Sequence, residues 1–139
     1  MAAPGIRLNR KDCQKAFQID VADGKRSRIM RESDIQKLTM VALTKTGCKV
    51  FRANAGKFLS LDGKHVIQGL PNGFFDLFGF KTDNHQVFFI EMKTKTGRPR
   101  ESQKRFHEML TDCGVIHGIA RSPEDAVKIV REELVGYGF

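Results

Sequence analysis

The sequence predicts an α/β fold, a mixed sheet flanked by helices, on three observations. Two apolar runs, Gly73-Phe74-Phe75-Asp76-Leu77-Phe78-Gly79-Phe80 and Val87-Phe88-Phe89-Ile90-Glu91-Met92-Lys93, have strand length and aromatic content. Segments 28–46 and 101–112 carry residues at helical spacing, and Ser122-Pro123-Glu124-Asp125 is a strong start for a third helix. Turn chemistry rich in Gly, Pro, Asn and Asp lies between these pieces. At 139 residues and 40% apolar, the chain suits one domain with one substantial core.

Residues 1–27 mix Arg7, Arg10, Lys11, Lys15, Lys25 and Arg26 with few apolar side chains, which predicts a basic, partly disordered arm. Residues 28–139 form the folded domain. In the first helix Ile35, Leu38 and Ala42 recur at helical spacing, and Gly47 ends it. Its start has two readings. Ser33 with Gln36 reads as a capping box that leaves Glu32 just outside; a start near Ser27 puts Glu32 inside. Segment 48–54 alternates as a strand, and 58–68 reads as a small hairpin turned at Asp62-Gly63. Gly69-Leu70-Pro71-Asn72-Gly73 is a turn leading to the strand of Asp76, and 81–85 is a polar hairpin loop before the strand of Glu91 and Lys93. A basic loop, 94–100, precedes the helix at 101–112, in which Gln103, Phe106, His107 and Leu110 share one face. Gly114 stops that helix. A short strand follows at 115–120, then a helix to about residue 134, after which the chain trails off.

The net charge of +8, from 24 Lys and Arg against 16 Asp and Glu, suits a phosphate-rich partner. Cys13, Cys48 and Cys113 are few and widely spaced, which favours neither disulfides nor zinc and points to a reducing cytosol. Cys48 and Cys113 read as small core residues. The first residues lack the apolar core of a signal peptide, and no stretch approaches the roughly 18 apolar residues of a membrane span. Gly56 to Lys64 fails as a P-loop, because six residues rather than four separate Gly56 from Gly63 and His65 replaces the Ser or Thr. His65, His85, His107 and His117 have no metal-ligand spacing.

The chemistry resides in Asp76 and in Glu91-Met92-Lys93. A charge within an apolar strand costs several kcal/mol unless it is paired or neutralised. Side chains alternate along a strand, so Glu91 and Lys93 share a face about 6 to 7 Å apart. With Asp76 on the neighbouring strand, two carboxylates can converge on one cation beside a lysine. Oxygen ligands of this kind favour Mg²⁺ or Mn²⁺, and Glu32 and Gln103 could complete the site from flanking helices. A metal there would activate water for phosphodiester hydrolysis, with Lys93 orienting that water or stabilising charge on the phosphate. Arg52, Lys95, Arg98, Arg100 and Lys104 are candidate DNA contacts, together with Arg105 and other surface lysines.

From Glu32 to Pro123 the chain resembles the VRR-NUC domains of the PD-(D/E)XK nuclease superfamily. The carrying residues are Glu32 with Ile35-Gln36, Arg52-Ala53-Asn54-Ala55-Gly56, Gly69-Leu70-Pro71-Asn72-Gly73 with Phe74-Phe75-Asp76, Phe89-Ile90-Glu91-Met92-Lys93-Thr94, Gly97-Arg98 and Gln103. The resemblance implies a restriction-endonuclease-like αβββαβ core. It makes Asp76 and Glu91 metal ligands, the Met92 carbonyl a third ligand, Lys93 the catalytic lysine, Gln103 a supporting glutamine and Glu32 a helix-borne acid and further candidate ligand. It implies a Mg²⁺- or Mn²⁺-dependent endodeoxyribonuclease of the short stand-alone phage or bacterial type. Such a protein would be cytoplasmic, homodimeric and selective for branched DNA such as Holliday junctions or flaps. Phe74 or Phe75 and Met92 depart from the smaller residue and the Val common in the family, which touches packing and leaves the charged set intact.

Two other readings stand beside this one. A basic nucleic-acid-binding module without catalysis explains the charge, but leaves Asp76 and Glu91 facing phosphate unpaired. A restriction or toxin-type nuclease would share the fold and act on another DNA target. The phenylalanines read as core, with a base-stacking platform as the functional alternative.

Overall fold

The structure is a computed structural model and describes residues 30–139; the expected basic arm at 1–27 and Cys13 lie outside the described residues. Along the folded body, Glu32–Phe139, the elements are helix α1 (Glu32–Lys45), strands β1 (Cys48–Arg52), β2 (Lys57–Leu59), β3 (Val66–Gln68), β4 (Leu77–Lys81) and β5 (Val87–Met92), helix α2 (Glu101–Asp112), strand β6 (Ile116–Ala120), helix α3 (Pro123–Arg131) and strand β7 (Val135–Tyr137). The central sheet has the order β1-β4-β5-β6-β7. Its β1, β4 and β5 are antiparallel neighbours, whereas β5, β6 and β7 run parallel, so the sheet is mixed. Strands β2 and β3 form a separate two-stranded ribbon.

The period of two in β5 divides the molecule. Phe88, Ile90 and Met92 are completely buried in the main core with Leu43 of α1, Leu77 of β4 and Ala126, Ile129 and Val130 of α3. Phe89 and Glu91 turn the other way, where Phe89 packs edge-to-face on Phe106 of α2 and Glu91 reaches Gln103 of α2. Helices α1 and α3 thus cover one face of the sheet, and α2 covers the other. Strand β6 follows the same rule: Gly118 faces Ile129, while His117 bonds to His107 of α2.

Several boundaries differ from expectation. Helix α1 begins at Glu32, so Ser33 is a helical residue and not the cap. Its deepest side chains are Gln36, Thr39 and Leu43, with Ile35 and Met40 packed only in part. Thr39 is buried without cost to its hydroxyl, which donates to the Ile35 carbonyl at 2.8 Å. Strand β1 ends at Arg52, before the predicted Asn54, although the Ala53 amide still donates to the Asp76 carbonyl at 2.8 Å. The last helix stops at Arg131, short of residue 134, and the tail forms the edge strand β7. Glu133 and Gly136 have φ of 52° and 81°, which reverse the chain. Gly118 admits β7, since a Cβ there would lie 2.7 Å from the Tyr137 carbonyl oxygen. Cys48 is buried as expected; Cys113 is exposed just after α2 because the helix presents it to solvent at its C-cap.

The phenylalanines outside the main core pack on one another. Phe74 contacts Phe78, Phe89 and Phe106 with centroids 4.9 to 6.0 Å apart, and Phe75 is completely buried. These edge-to-face and tilted contacts pack the rings as core, in place of the open platform weighed as an alternative. No described helix is long and apolar enough to cross a membrane.

The tightest backbone approach in the sheet is at Gly79 of β4, where a Cβ would lie 1.9 Å from the Lys49 carbonyl oxygen and 3.0 Å from the Phe88 ring. Gly79→Ala is therefore expected to destabilise the fold by about 3 kcal/mol through overpacking, read as a lower urea midpoint at unchanged slope.

Candidate functional site

Asp76 and Glu91 meet because β4 and β5 pair with Leu77 opposite Ile90, which sets the residue before β4 beside the end of β5. The Met92 amide donates to Asp76 Oδ2 at 2.9 Å, fixing the Asp76 carboxylate and turning the Met92 backbone to its side. Glu91 is 1% exposed. Its Oε1 accepts from Lys93 Nζ and from Gln103 Nε2, each at 2.6 Å, whereas its Oε2 is buried with no hydrogen-bond partner. Gln103 is held in turn, since its Oε1 accepts from the Arg100 amide at 2.8 Å across the first turn of α2. The helix approaches closely enough for this because Gly73 takes φ of 91° and lacks a side chain that would lie 2.3 Å from the Ser102 carbonyl oxygen.

Burial first, and then the like charge of Asp76, push the Glu91 carboxyl up to about 7, against the pull of Lys93. Its positive partner among the described residues, Lys93, reaches only one of its two oxygens. The other stays unsatisfied in a dry setting, which is costly.

These groups line a cleft of about 640 Å³ that also holds Glu32, Arg100 and Arg105. Of the sequence-predicted residues, Lys93 and Gln103 therefore bond directly to Glu91, and Asp76 is tied to the same strand through the Met92 amide. Glu32 stands at the first residue of α1, exposed on the cleft wall. Among the described residues no three acidic, His or Cys side chains converge as a metal cluster. Of the five expected DNA contacts, Arg100 lines the cleft, while Arg52, Lys95 and Arg98 are exposed. Lys104 is exposed and pairs with Glu101 at 2.7 Å.

The donor set fits a hard divalent cation on two counts. An unpartnered buried oxygen, Glu91 Oε2, sits close to a second carboxylate, and oxygen donors are what Mg²⁺ and Mn²⁺ prefer. One or two protein carboxylates suffice for such an ion, so the absence of a third acid in the described cluster is compatible with it.

Arg121 is a supporting residue that the motifs did not reveal. Its guanidinium donates to the carbonyls of Thr94 and, at 2.8 Å, Gly97, pinning the loop that leaves Lys93. The backbone of Gly97 in turn lies against the Lys93 stem, because a Cβ there would be 3.3 Å from Lys93 Cδ. A single Arg one residue after a strand carries no sequence signal; Asn54, Asn72 and Ser102, which also line the cleft, are equally silent. His107 is packed, with Phe139 stacked on it at 3.9 Å and His117 bonded at 2.8 Å.

No curated protein matches the chain. A solved structure described as a VRR_NUC domain superposes with a TM-score of 0.53 at 21% identity, covering 74% of this chain and 97% of that one. At that identity the likeness speaks for the fold. The family model described as VRR-NUC domain matches residues 36–124, more than half of the chain, a span that includes Asp76, Glu91, Lys93 and Gln103 and leaves out Glu32. The chain belongs to the VRR-NUC domain family and has its nuclease-type fold.

Proposed function

We propose that this protein is a Mg²⁺- or Mn²⁺-dependent DNA endonuclease that hydrolyses phosphodiester bonds at the cleft between β4, β5 and α2. The observation that carries this reading is Glu91, a buried carboxylate with one bare oxygen beside Asp76 and an ammonium on its other oxygen. Asp76 and Glu91 would hold the cation, joined by the Met92 carbonyl and with Glu32 as a further candidate ligand. Such an ion supplies charge against a phosphate oxygen and makes bound water nucleophilic near neutral pH. Gln103 fixes Glu91 Oε1 and leaves Oε2 without a protein partner. Lys93, on the cleft wall, stabilises charge growing on the phosphate or orients the water. Arg100 and Arg105 hold the DNA backbone at the cleft, with Arg52, Lys95, Arg98 and Lys104 as outer contacts.

Membership of the family favours branched DNA, a Holliday junction or flap, as substrate. It favours a twofold homodimer that presents two clefts to opposed strands. An enzyme of phage or bacterial type, acting in the cytoplasm, accords with this reading. A non-catalytic binding module is disfavoured by the bare Glu91 Oε2, which repels phosphate unless a cation lies between.

Labelled duplex, single strand, 5′ flap and four-way junction, each with Mg²⁺, Mn²⁺ or EDTA, test the activity. Cleavage is expected only with metal, best on a branched substrate, and about 100-fold or more slower in Lys93→Ala; cleavage in EDTA would refute the metal. By calorimetry Mn²⁺ is expected to bind the wild type and Lys93→Ala, and Asp76→Ala is expected to abolish that binding. Sedimentation at micromolar concentration is expected to give a dimer with a four-way junction, and monomer alone would refute the twofold arrangement.

The pH response follows from Glu91. Its carboxyl titrates near 7 in the fold against an ordinary 4.5, so the folded state binds the extra proton. Without metal, this contribution to stability is complete below about pH 4.5 and is lost as pH rises through 7, a change of roughly 3 kcal/mol. Burial lowers the His117 pKa, and this group slopes the opposite way. The difference in unfolding midpoint between wild type and Glu91→Gln in EDTA, from pH 5 to 8, isolates Glu91, since His117 is common to both. An equal slope in the two proteins would remove Glu91 as the source.

A further inference from the structure

The β2–β3 ribbon stands apart from the central sheet and is apolar on both faces. Antiparallel pairing sets Leu59 opposite Val66 on one face and Phe58 opposite Ile67 on the other. Leu59 is 70% and Val66 64% exposed, Phe58 and Ile67 are exposed as well, and Leu61 at the tip is fully exposed. A bare patch of this kind marks an interaction surface, and a two-stranded ribbon is marginal without one.

Its base is firmly fixed. The Gly56 amide donates to the Leu70 carbonyl at 2.9 Å and the Gly69 amide to the Gly56 carbonyl at 2.8 Å, and Gln68 Nε2 reaches the Gly56 and Gly69 carbonyls at 3.3 Å. Gly56 and Phe58 also line the catalytic cleft, so the ribbon rises directly from its rim. Lys57, Lys64 and His65 are exposed around the apolar side chains. The acid at the tip, Asp62, is exposed, and its Oδ1 accepts from the Ser60 hydroxyl and, at 3.0 Å, from the Lys64 amide within the turn.

We infer that this ribbon is a branch-point wedge, its two apolar faces capping the two base-pair stacks that part where DNA arms diverge. The inference rests on the nuclease reading above and supplies the source of its preference for branched DNA. Thickness selects the substrate. A strand layer with side chains on both faces occupies about 10 Å, whereas bases along one strand rise by only about 3.4 Å. The ribbon therefore does not enter a continuous duplex and fits where stacking is already broken. Apolar side chains set between bases are an established device for holding bent or opened DNA, and the flanking lysines meet the converging phosphates. A second copy of the chain is the rival occupant. A twofold contact would cover one face of the ribbon and leave the other in water, whereas two parted stacks cover both.

The test uses the full chain carrying Lys93→Ala in Mg²⁺, with 2-aminopurine placed beside the branch of a four-way junction and at the same sequence in a linear duplex. Binding is expected to raise the junction fluorescence at least twofold and to leave the duplex signal flat. Leu59→Ser with Val66→Ser on one face, or Ile67→Ser on the other, is expected to remove that rise and to lower the junction-to-duplex affinity ratio at least tenfold. The salt dependence of binding should stay the same, because no phosphate contact is lost. Leu61→Ser, at the free tip, is expected to lower the ratio as well and leaves the ribbon base untouched. An unchanged ratio and unchanged fluorescence in all three variants would overturn the wedge. Conversion of dimer to monomer by these variants, with the fluorescence rise per bound protein intact, would overturn it in favour of a second copy. Failure of Lys93-intact protein to cut any DNA would sink the nuclease reading alone, since the fluorescence assay requires no cleavage.

Discussion

A buried carboxylate with half of its hydrogen-bonding capacity met is the constraint on which this structure turns. Glu91 is withdrawn from water, raised toward neutrality by burial and by Asp76, and satisfied at only one oxygen. Leaving such a group unpaired costs several kcal/mol, and a fold without a use for it would replace it with an apolar residue. Around it the supporting contacts are complete. Gln103 is braced by the Arg100 amide, Asp76 by the Met92 amide, and the loop beyond Lys93 by Arg121. The neighbours are thus held in place, and the one open valence belongs to a residue that lines the cleft.

The same strand supplies both the core and the chemistry, and the period of two keeps them apart. Phe88, Ile90 and Met92 hold β5 against α1 and α3, so that Phe89, Glu91 and Lys93 are delivered to the α2 side at fixed spacing. A slip of one residue would put a carboxylate among Leu43, Leu77 and Ile129. Hydrophobic register therefore also protects the geometry of the site. The phenylalanine cluster between β4, β5 and α2 has a matching part, because Phe75 is completely buried and Phe106 packs against it, anchoring the residue next to Asp76 and the helix that bears Gln103.

On the proposed function, charge and apolar surface divide the task of meeting DNA. Arg100 and Arg105 stand at the cleft, while the remaining cations are spread over exposed surface. Phosphate contacts of this kind position a duplex without distinguishing its shape. The apolar ribbon at the rim is the feature that can respond to shape, since its thickness excludes it from stacked bases and admits it where stacks part. On that proposal, affinity and selectivity come from different parts of the chain.

Much of this was legible in the sequence because its signals are local. The α/β class, α2 at 101–112, the small hairpin at Asp62-Gly63 and the pairing of Glu91 with Lys93 on one face follow from periodicity, turn chemistry and the two-residue repeat of a strand. The VRR-NUC family was legible in another way, through the resemblance of motifs that lie in order along the chain, and the family model matches there. What the tertiary structure alone decided depends on contacts between distant segments. Gln36 and Thr39 face inward on α1, which periodicity assigned to Ile35 and Leu38, because α1 packs on α3 and β1 and can satisfy the Thr39 hydroxyl internally. The tail becomes β7 because Gly118, a dozen or more residues earlier, leaves room for it. Arg121 reaches a loop 24 residues away, and the bare Glu91 Oε2 arises only once Gln103 and Lys93 have both taken the other oxygen. Sequence specifies which groups are present and which face of an element they take; only the packed chain determines which atoms are left without a partner, because that depends on every neighbour at once.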